Sequence, residues 1–121
     1  MTATLTKENF RMEMTLEEVS GITRVGLAGK MDARGAESID LKFTASVSKR
    51  DKVAIDLSAV DYIASIGIRI FVMAAKAAAR RHQKLVIFGA NECVQKVIVT
   101  TGLSELVPVL NDWASAQAAL T

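Results

Sequence analysis

From Phe10 to Glu17 the chain alternates strictly between apolar and polar residues, the period of a strand with one buried face. A turn at Glu18-Val19-Ser20-Gly21 leads to a second strand, Ile22 to Gly29, with Val25 and Leu27 on one face. So short a connection closes an antiparallel hairpin, because a parallel crossover needs many more residues. The period then lengthens. Between Met31 and Lys49, Ile39, Phe43 and Val47 recur at helical spacing with polar residues between them. Lys52 to Leu57 is a strand with apolar residues on both faces, hence central in its sheet. After a short loop, Ile66 to Arg81 is a long helix rich in Ala, Ile and Val, and Lys84 to Gly89 is a fourth strand.

Asn91 can cap a helix through Val94, Val97, Ile98 and Thr101, which Gly102 stops and Leu103 anchors. Leu106 to Leu110 is a short strand that Pro108 confines to an edge. Asp112 can cap a last helix, Trp113 to Leu120. The order β-β-α-β-α-β-α-β-α predicts an α/β fold: a mixed sheet with an antiparallel hairpin at one end. Helices are expected mainly on one face, since the first strand is polar on its other side. Ile55, Leu57, Val86, Ile87, Ile68, Val72, Ala75 and Ile98 form the expected core.

Composition narrows the function. The chain has 121 residues, 50% hydrophobic and 23% charged, which suits one domain over residues 1–121 with no need of a disulfide or metal staple. The single cysteine, Cys93, suits a reducing compartment. The longest uncharged stretch, Trp113 to Thr121, falls far short of the ~20 apolar residues of a membrane span. The first residues carry no signal-peptide pattern. Fifteen Lys and Arg against 13 Asp and Glu leave a net charge of +2, and aromatics are 5%. The cations are interleaved with acids, so neither a basic face nor a stacking platform for nucleic acid is present. A cytoplasmic protein that binds neither nucleic acid nor membrane is the expectation.

Catalytic chemistry finds no support in the residue pattern. His82, in Arg80-Arg81-His82-Gln83-Lys84, reads as one of several solvated cations at a helix end. Cys93 has no second cysteine or neighbouring histidine for a metal site, and reads as a small packing residue in the first turn of its helix. Gly26-Leu27-Ala28-Gly29-Lys30 is no phosphate-binding loop, because Arg24 stands where that loop needs glycine and Met31 where it needs Ser or Thr. No enzyme activity, cofactor or metal is expected.

The most informative stretch runs from Asp56 to Ile68, where a buried strand gives way to a serine at a helix entry. At about 100° per residue, Ser65, Arg69, Met73, Lys76 and Arg80 share an arc of about 80°, and the apolar residues Ile68, Phe71, Val72, Ala75 and Ala79 mark the other side, from the adjoining arc round, where the core is expected. Two readings compete. Serine is a favoured helix cap, and a basic stripe is usually a solvated face. The same features suit a phosphate: a helix N-terminus followed one turn later by an arginine hosts an anion well.

Four motifs in order resemble the STAS domain family, in particular the bacterial anti-sigma-factor antagonists of sporulation and stress-response switches. They are Leu27-Ala28-Gly29-Lys30-Met31-Asp32, the segment Asp56 to Ile63, Ala64-Ser65-Ile66-Gly67-Ile68, and Thr101-Gly102-Leu103. The resemblance covers residues 10–110 approximately. It implies a four- to five-stranded mixed sheet with helices mainly on one face. It also implies a phosphorylatable binding switch. The unphosphorylated antagonist sequesters an anti-sigma factor that is also a serine kinase, so freeing a sigma factor. Phosphorylation of the residue matching Ser65 breaks the complex, and a phosphoserine phosphatase restores it. Asp32, Ser65, Arg69, Met73 and Lys76 are the expected partner-binding residues. One departure stands out: the family's acidic residue before the phosphoserine is Ala64 here. That favours the alternative, a STAS scaffold or adaptor without a phosphoswitch, of the stressosome or transport-associated kind.

Overall fold

The computed structural model describes residues 12–121, so Phe10 and Arg11, where the alternating pattern begins, lie outside the described residues. Strand β1 (Glu13–Val19) turns through Ser20 and Gly21 into β2 (Ile22–Met31). Both turn residues have positive φ, 52° and 81°, as a two-residue type I′ turn requires, and this turn matches the twist of the strands it joins. Helix α1 (Ala33–Ser48), β3 (Lys52–Ile63), α2 (Ser65–Arg80), β4 (Lys84–Phe88) and α3 (Glu92–Thr100) follow. A 3-10 turn (Leu103–Glu105), β5 (Val109–Leu110) and α4 (Trp113–Leu120) complete the described chain. The sheet order is β1-β2-β3-β4-β5, with only the β1–β2 pair antiparallel. The element order and the mixed sheet are those the residue pattern predicts.

Helices α1, α2 and α3 cover one face. Ile39, Phe43 and Val47 of α1, Ile68, Ile70 and Phe71 of α2, and Val94 and Ile98 of α3 pack on Val25, Leu27, Val53, Ile55, Leu57 and Ile87. Phe43 and Phe71, both fully buried, meet edge to face at 5.7 Å between ring centroids and lock α1 to α2. The core differs from expectation in three residues. Val72 is only half-buried and Ala79 is exposed, because the buried arc of α2 centres on Gly67, Phe71 and Ala78 instead. Val86 is buried on the other face, with Ile22, Ala54 and Phe88, under Ala116 and Leu120 of α4. Helices are therefore mainly, but not wholly, on one side.

Two further boundaries move. The residue pattern ends the third strand at Leu57, whereas β3 runs on to Ile63 through two register shifts against β2. The cause is local. The Asp56 carboxylate accepts hydrogen bonds from the Ser58 N–H (2.9 Å) and hydroxyl (2.6 Å), kinking the strand and breaking its alternation. The last strand contracts to Val109–Leu110, since Leu106 turns outward and the 3-10 turn takes up the preceding residues.

Asp56 also anchors α4. Its other oxygen pairs with the Arg24 guanidinium at 2.8 Å, and that guanidinium lies over the rings of Phe88 (5.3 Å) and Trp113 (5.0 Å). Burial pushes the Asp56 carboxyl up, but the Ser58 hydroxyl, the Ser58 N–H and Arg24 together outweigh it and hold it below the usual value of 3.8. A carboxyl depressed on folding stabilises the protein above its unfolded value and loses that contribution as pH falls through its folded one. The urea midpoint should therefore drop between about pH 5 and pH 3, and Asp56→Asn should flatten part of that drop. An unchanged pH slope in the variant would show that other carboxylates carry the acid sensitivity.

Candidate binding face at the start of α2

Parallel register brings two helix starts together. Met31 lies opposite Ile63 at the ends of β2 and β3, and the Ala64 N–H donates to the Met31 carbonyl at 2.9 Å. Asp32 and Ala64, the residues that follow, therefore open α1 and α2 side by side. Gly67 permits this seating: a Cβ there would stand 2.8 Å from Met31 Cγ and 2.9 Å from Ile63 Cγ1. Asp32 caps α1, its Oδ1 accepting the Gly35 N–H at 2.9 Å. Asp32 thus opens the helix next to the one Ser65 begins, and its carboxylate already serves its own helix.

Helix α2 is built differently. Asn91 caps α3 and Asp112 caps α4, each through a 2.9 Å bond to a backbone N–H. The N-cap position of α2 is Ala64, which has no capping side chain. The expected cap role of Ser65 is thus corrected: Ser65 is the first helical residue, and its hydroxyl, one position too late to cap, makes no hydrogen bond among the described residues. The Gly67 and Ile68 N–H groups both turn back to the Ala64 carbonyl, at 2.9 and 3.2 Å. The positive pole of α2 is left without a side-chain acceptor, next to an exposed serine.

The stripe that follows is on the surface. Arg69, Lys76 and Arg80 are exposed and form no ion pair among the described residues, and Met73 is 63% exposed. His82, exposed at a φ of 59°, ends the helix as a solvated residue: its N–H and that of Gln83 close on the Ala79 and Ala78 carbonyls. Cys93 corrects a second expectation. It is exposed rather than packed, because the buried side of the short α3 is set by Val94 and Ile98.

One feature is missing from the sequence reading. Between α1 and α2 runs a groove of about 570 Å³, lined by Leu41, Thr44 and Val47 on one wall and Ile66, Arg69, Met73 and Ala77 on the other. Leu41 is 88% exposed and Ile66 38%. The signal was present: Leu41 lies outside the Ile39, Phe43, Val47 stripe that buries α1. At the far end the Arg81 guanidinium and the Gln83 amide both donate to the Ser48 carbonyl, at 3.2 and 3.1 Å, tying the helix ends together.

This arrangement, with two parallel strands delivering two helix starts and a serine heading the second, can be compared with known proteins. The STAS domain profile matches residues 13–116. The chain belongs to the STAS domain family. Among curated STAS relatives, BtrV of Bordetella bronchiseptica, which carries the name of an anti-sigma factor antagonist, is 29% identical over 109 residues, covering 89% of this chain and 94% of BtrV. The anti-sigma-B factor antagonist of Listeria monocytogenes is 33% identical over 86 residues, 70% of this chain and 75% of that protein. An anti-sigma factor antagonist from Mycobacterium paratuberculosis has the same fold, with a TM-score of 0.83 at 22% identity over 90% of this chain and 93% of that one. Phosphorylated Bacillus SpoIIAA shares the fold at a TM-score of 0.67 and 14% identity, covering 88% and 97% of the two chains. Among the described residues, no helix is long and apolar enough to cross a membrane.

Proposed function

We propose that this STAS protein is an anti-sigma factor antagonist that works in the cytoplasm as a phosphorylation-controlled binding switch, with Ser65 as the phosphate acceptor. The observation that carries the reading is Ser65 itself: exposed, first in α2, and free of the capping bond that would otherwise account for it. Its partner is an anti-sigma factor with serine kinase activity, which binds the Ser65, Arg69, Met73 and Lys76 stripe together with the neighbouring Asp32. The kinase transfers the γ-phosphoryl group of ATP to the Ser65 hydroxyl oxygen. The new O–P bond replaces the one to ADP, and the hydroxyl proton passes to a base of the kinase. A phosphatase reverses the modification by hydrolysis. The protein itself acts by binding and not by turnover.

The electrostatics favour a switch. Phosphate adds about −1.5 to −2 charges at the uncapped pole of α2 and one turn from Arg69, so the modified serine is held by its own helix. A partner that needs the bare stripe then meets a reversed local charge. Ala64 supports the second reading, a scaffold or adaptor with no switch, since the family's acidic residue is absent from the kinase's target. Incubation with the anti-sigma kinase and ATP, followed by mass spectrometry, separates the two. Phosphate on Ser65 is the expected result; phosphate only on Ser58, or none, would leave the scaffold.

A further inference from the structure

The groove between α1 and α2 extends beyond the phosphoserine site, which it meets at Arg69 and Met73. We infer that it docks an acidic, amphipathic helix of the protein's partner, so that the partner is held by α1 as well as by the α2 stripe. The inference rests on the reading that this partner is an anti-sigma factor.

Three observations fix the chemistry of the occupant. The first is apolar exposure. Leu41 at 88%, Met73 at 63% and Ile66 at 38% line one groove from both walls, where a well-packed pair of helices would have buried or polar residues. The second is the backbone. Both walls are helices whose N–H and C=O groups are satisfied internally, so an extended peptide finds no edge to pair with. A helix brings its own backbone bonds and inserts only side chains, at i, i+3, i+4 and i+7. Ile66 and Met73, two turns apart on α2, offer contacts at that repeat.

The third observation is charge. Arg69 and Arg80 border the groove about 16 Å apart along α2, at 1.5 Å per residue. Neither has an ion-pair partner among the described residues, while Asp40 is the one acidic residue of the lining. A docking helix of about three turns therefore carries carboxylates near both ends, and its rim pairs set orientation and speed association. Phosphate on Ser65 would compete with one of those carboxylates for Arg69. This places the groove and the switch in contact without making them one site.

Leu41→Glu is the decisive variant. Leu41 lies on α1, off the Ser65 stripe, and is so exposed that its replacement should leave the urea midpoint unchanged. Calorimetry with the purified anti-sigma kinase should show affinity reduced about tenfold or more by Leu41→Glu and by Arg80→Glu. Val99→Glu, at an exposed apolar position on α3, should bind as wild type. A Glu→Lys change in the partner's docking helix should recover affinity for Arg80→Glu alone. Wild-type affinity in both groove variants, with Ser65 still phosphorylated, overturns the groove and leaves the functional reading standing. The same holds if Leu41→Glu instead abolishes self-association, or binding to phosphatidylglycerol vesicles, while kinase affinity is intact. A wild-type protein that neither binds the kinase nor is phosphorylated overturns both.

Discussion

Ser65→Ala should abolish kinase-dependent phosphate incorporation while leaving both the fold and the partner complex intact. The stability half of this expectation is as specific as the chemical half. A capping serine replaced by alanine costs about 0.5–2 kcal/mol, whereas Ser65 caps nothing and stands one residue inside α2. Its replacement should shift the unfolding free energy by less than about 0.5 kcal/mol, as for other surface changes. Ser65→Asp should weaken the partner complex, though less than phosphate does, because one carboxylate carries a smaller charge and fewer acceptor oxygens. In the free protein the same change should be mildly stabilising, since an anion in the first turn interacts favourably with the helix dipole. Phosphoproteomic mapping, calorimetry and a urea melt on three proteins decide the matter. Undiminished phosphate on Ser65→Ala would place the acceptor elsewhere, and a melt lowered by more than about 1 kcal/mol would restore the cap.

Gly35→Ala should destabilise the protein by about 1–3 kcal/mol or more, against the usual sign for such a change. Within a helix, alanine ordinarily gains about 0.5–1 kcal/mol over glycine. Gly35 sits in the first turn of α1, where an added Cβ would overlap the Lys30 carbonyl oxygen and lie 2.9 Å from Met12 Cγ. The methionine can move, but the carbonyl is main chain of β2, two residues before the cap Asp32. Relief requires α1 to lift from the strand that delivers it, disturbing the cap bond from Gly35 to Asp32. Urea unfolding of the variant reads the loss directly. A gain in stability would mean that β2 and α1 have more slack at this point than their contact distances imply.

What the residue pattern made legible was whatever depended on period. The two-sided strands β3 and β4 and the Ile39, Phe43, Val47 stripe of α1 appear in the fold where they read in the chain; β1 forms where its alternation reads, but its expected buried face is only partly buried, with Leu16 exposed. The expected caps Asn91 and Asp112 act on the helices they precede. The failures have two causes: a local contact that interrupts the period, and side chains that meet something distant in sequence. The Asp56–Ser58 kink breaks the period of β3 while its pairing with β2 continues. Val86 is as apolar as Ile87, and only the return of α4 to the opposite face shows which surface it lines.

The candidate site was legible as a list and not as a geometry. Ser65, Arg69, Met73 and Lys76 share a helix face by arithmetic, and Asp32 joins them only through the register of β2 against β3. The offset of one residue between a capping and a non-capping serine cannot be read from Ala64-Ser65-Ile66. It is set where the Ala64 N–H meets the Met31 carbonyl. Leu41, off the buried stripe of α1, signals the groove in the chain, but only the fold shows that nothing covers it.

The plain order of the strands has a kinetic consequence. Every strand pairs with the one made immediately before it: Thr23 of β2 lies opposite Val53 of β3, and Lys52 of β3 opposite Lys84 of β4. Among the described strands no pairing has to wait for a segment from the far end of the chain, so the entropy of loop closure is met in modest steps. The type I′ hairpin can form as soon as it leaves the ribosome. Each β-α unit then adds to an existing edge as synthesis proceeds, and α4 arrives last to close the second face. Assembly in the order of translation leaves a growing edge covered by the next unit for most of its lifetime. A small binding protein gains from having so few wrong partners available while it folds.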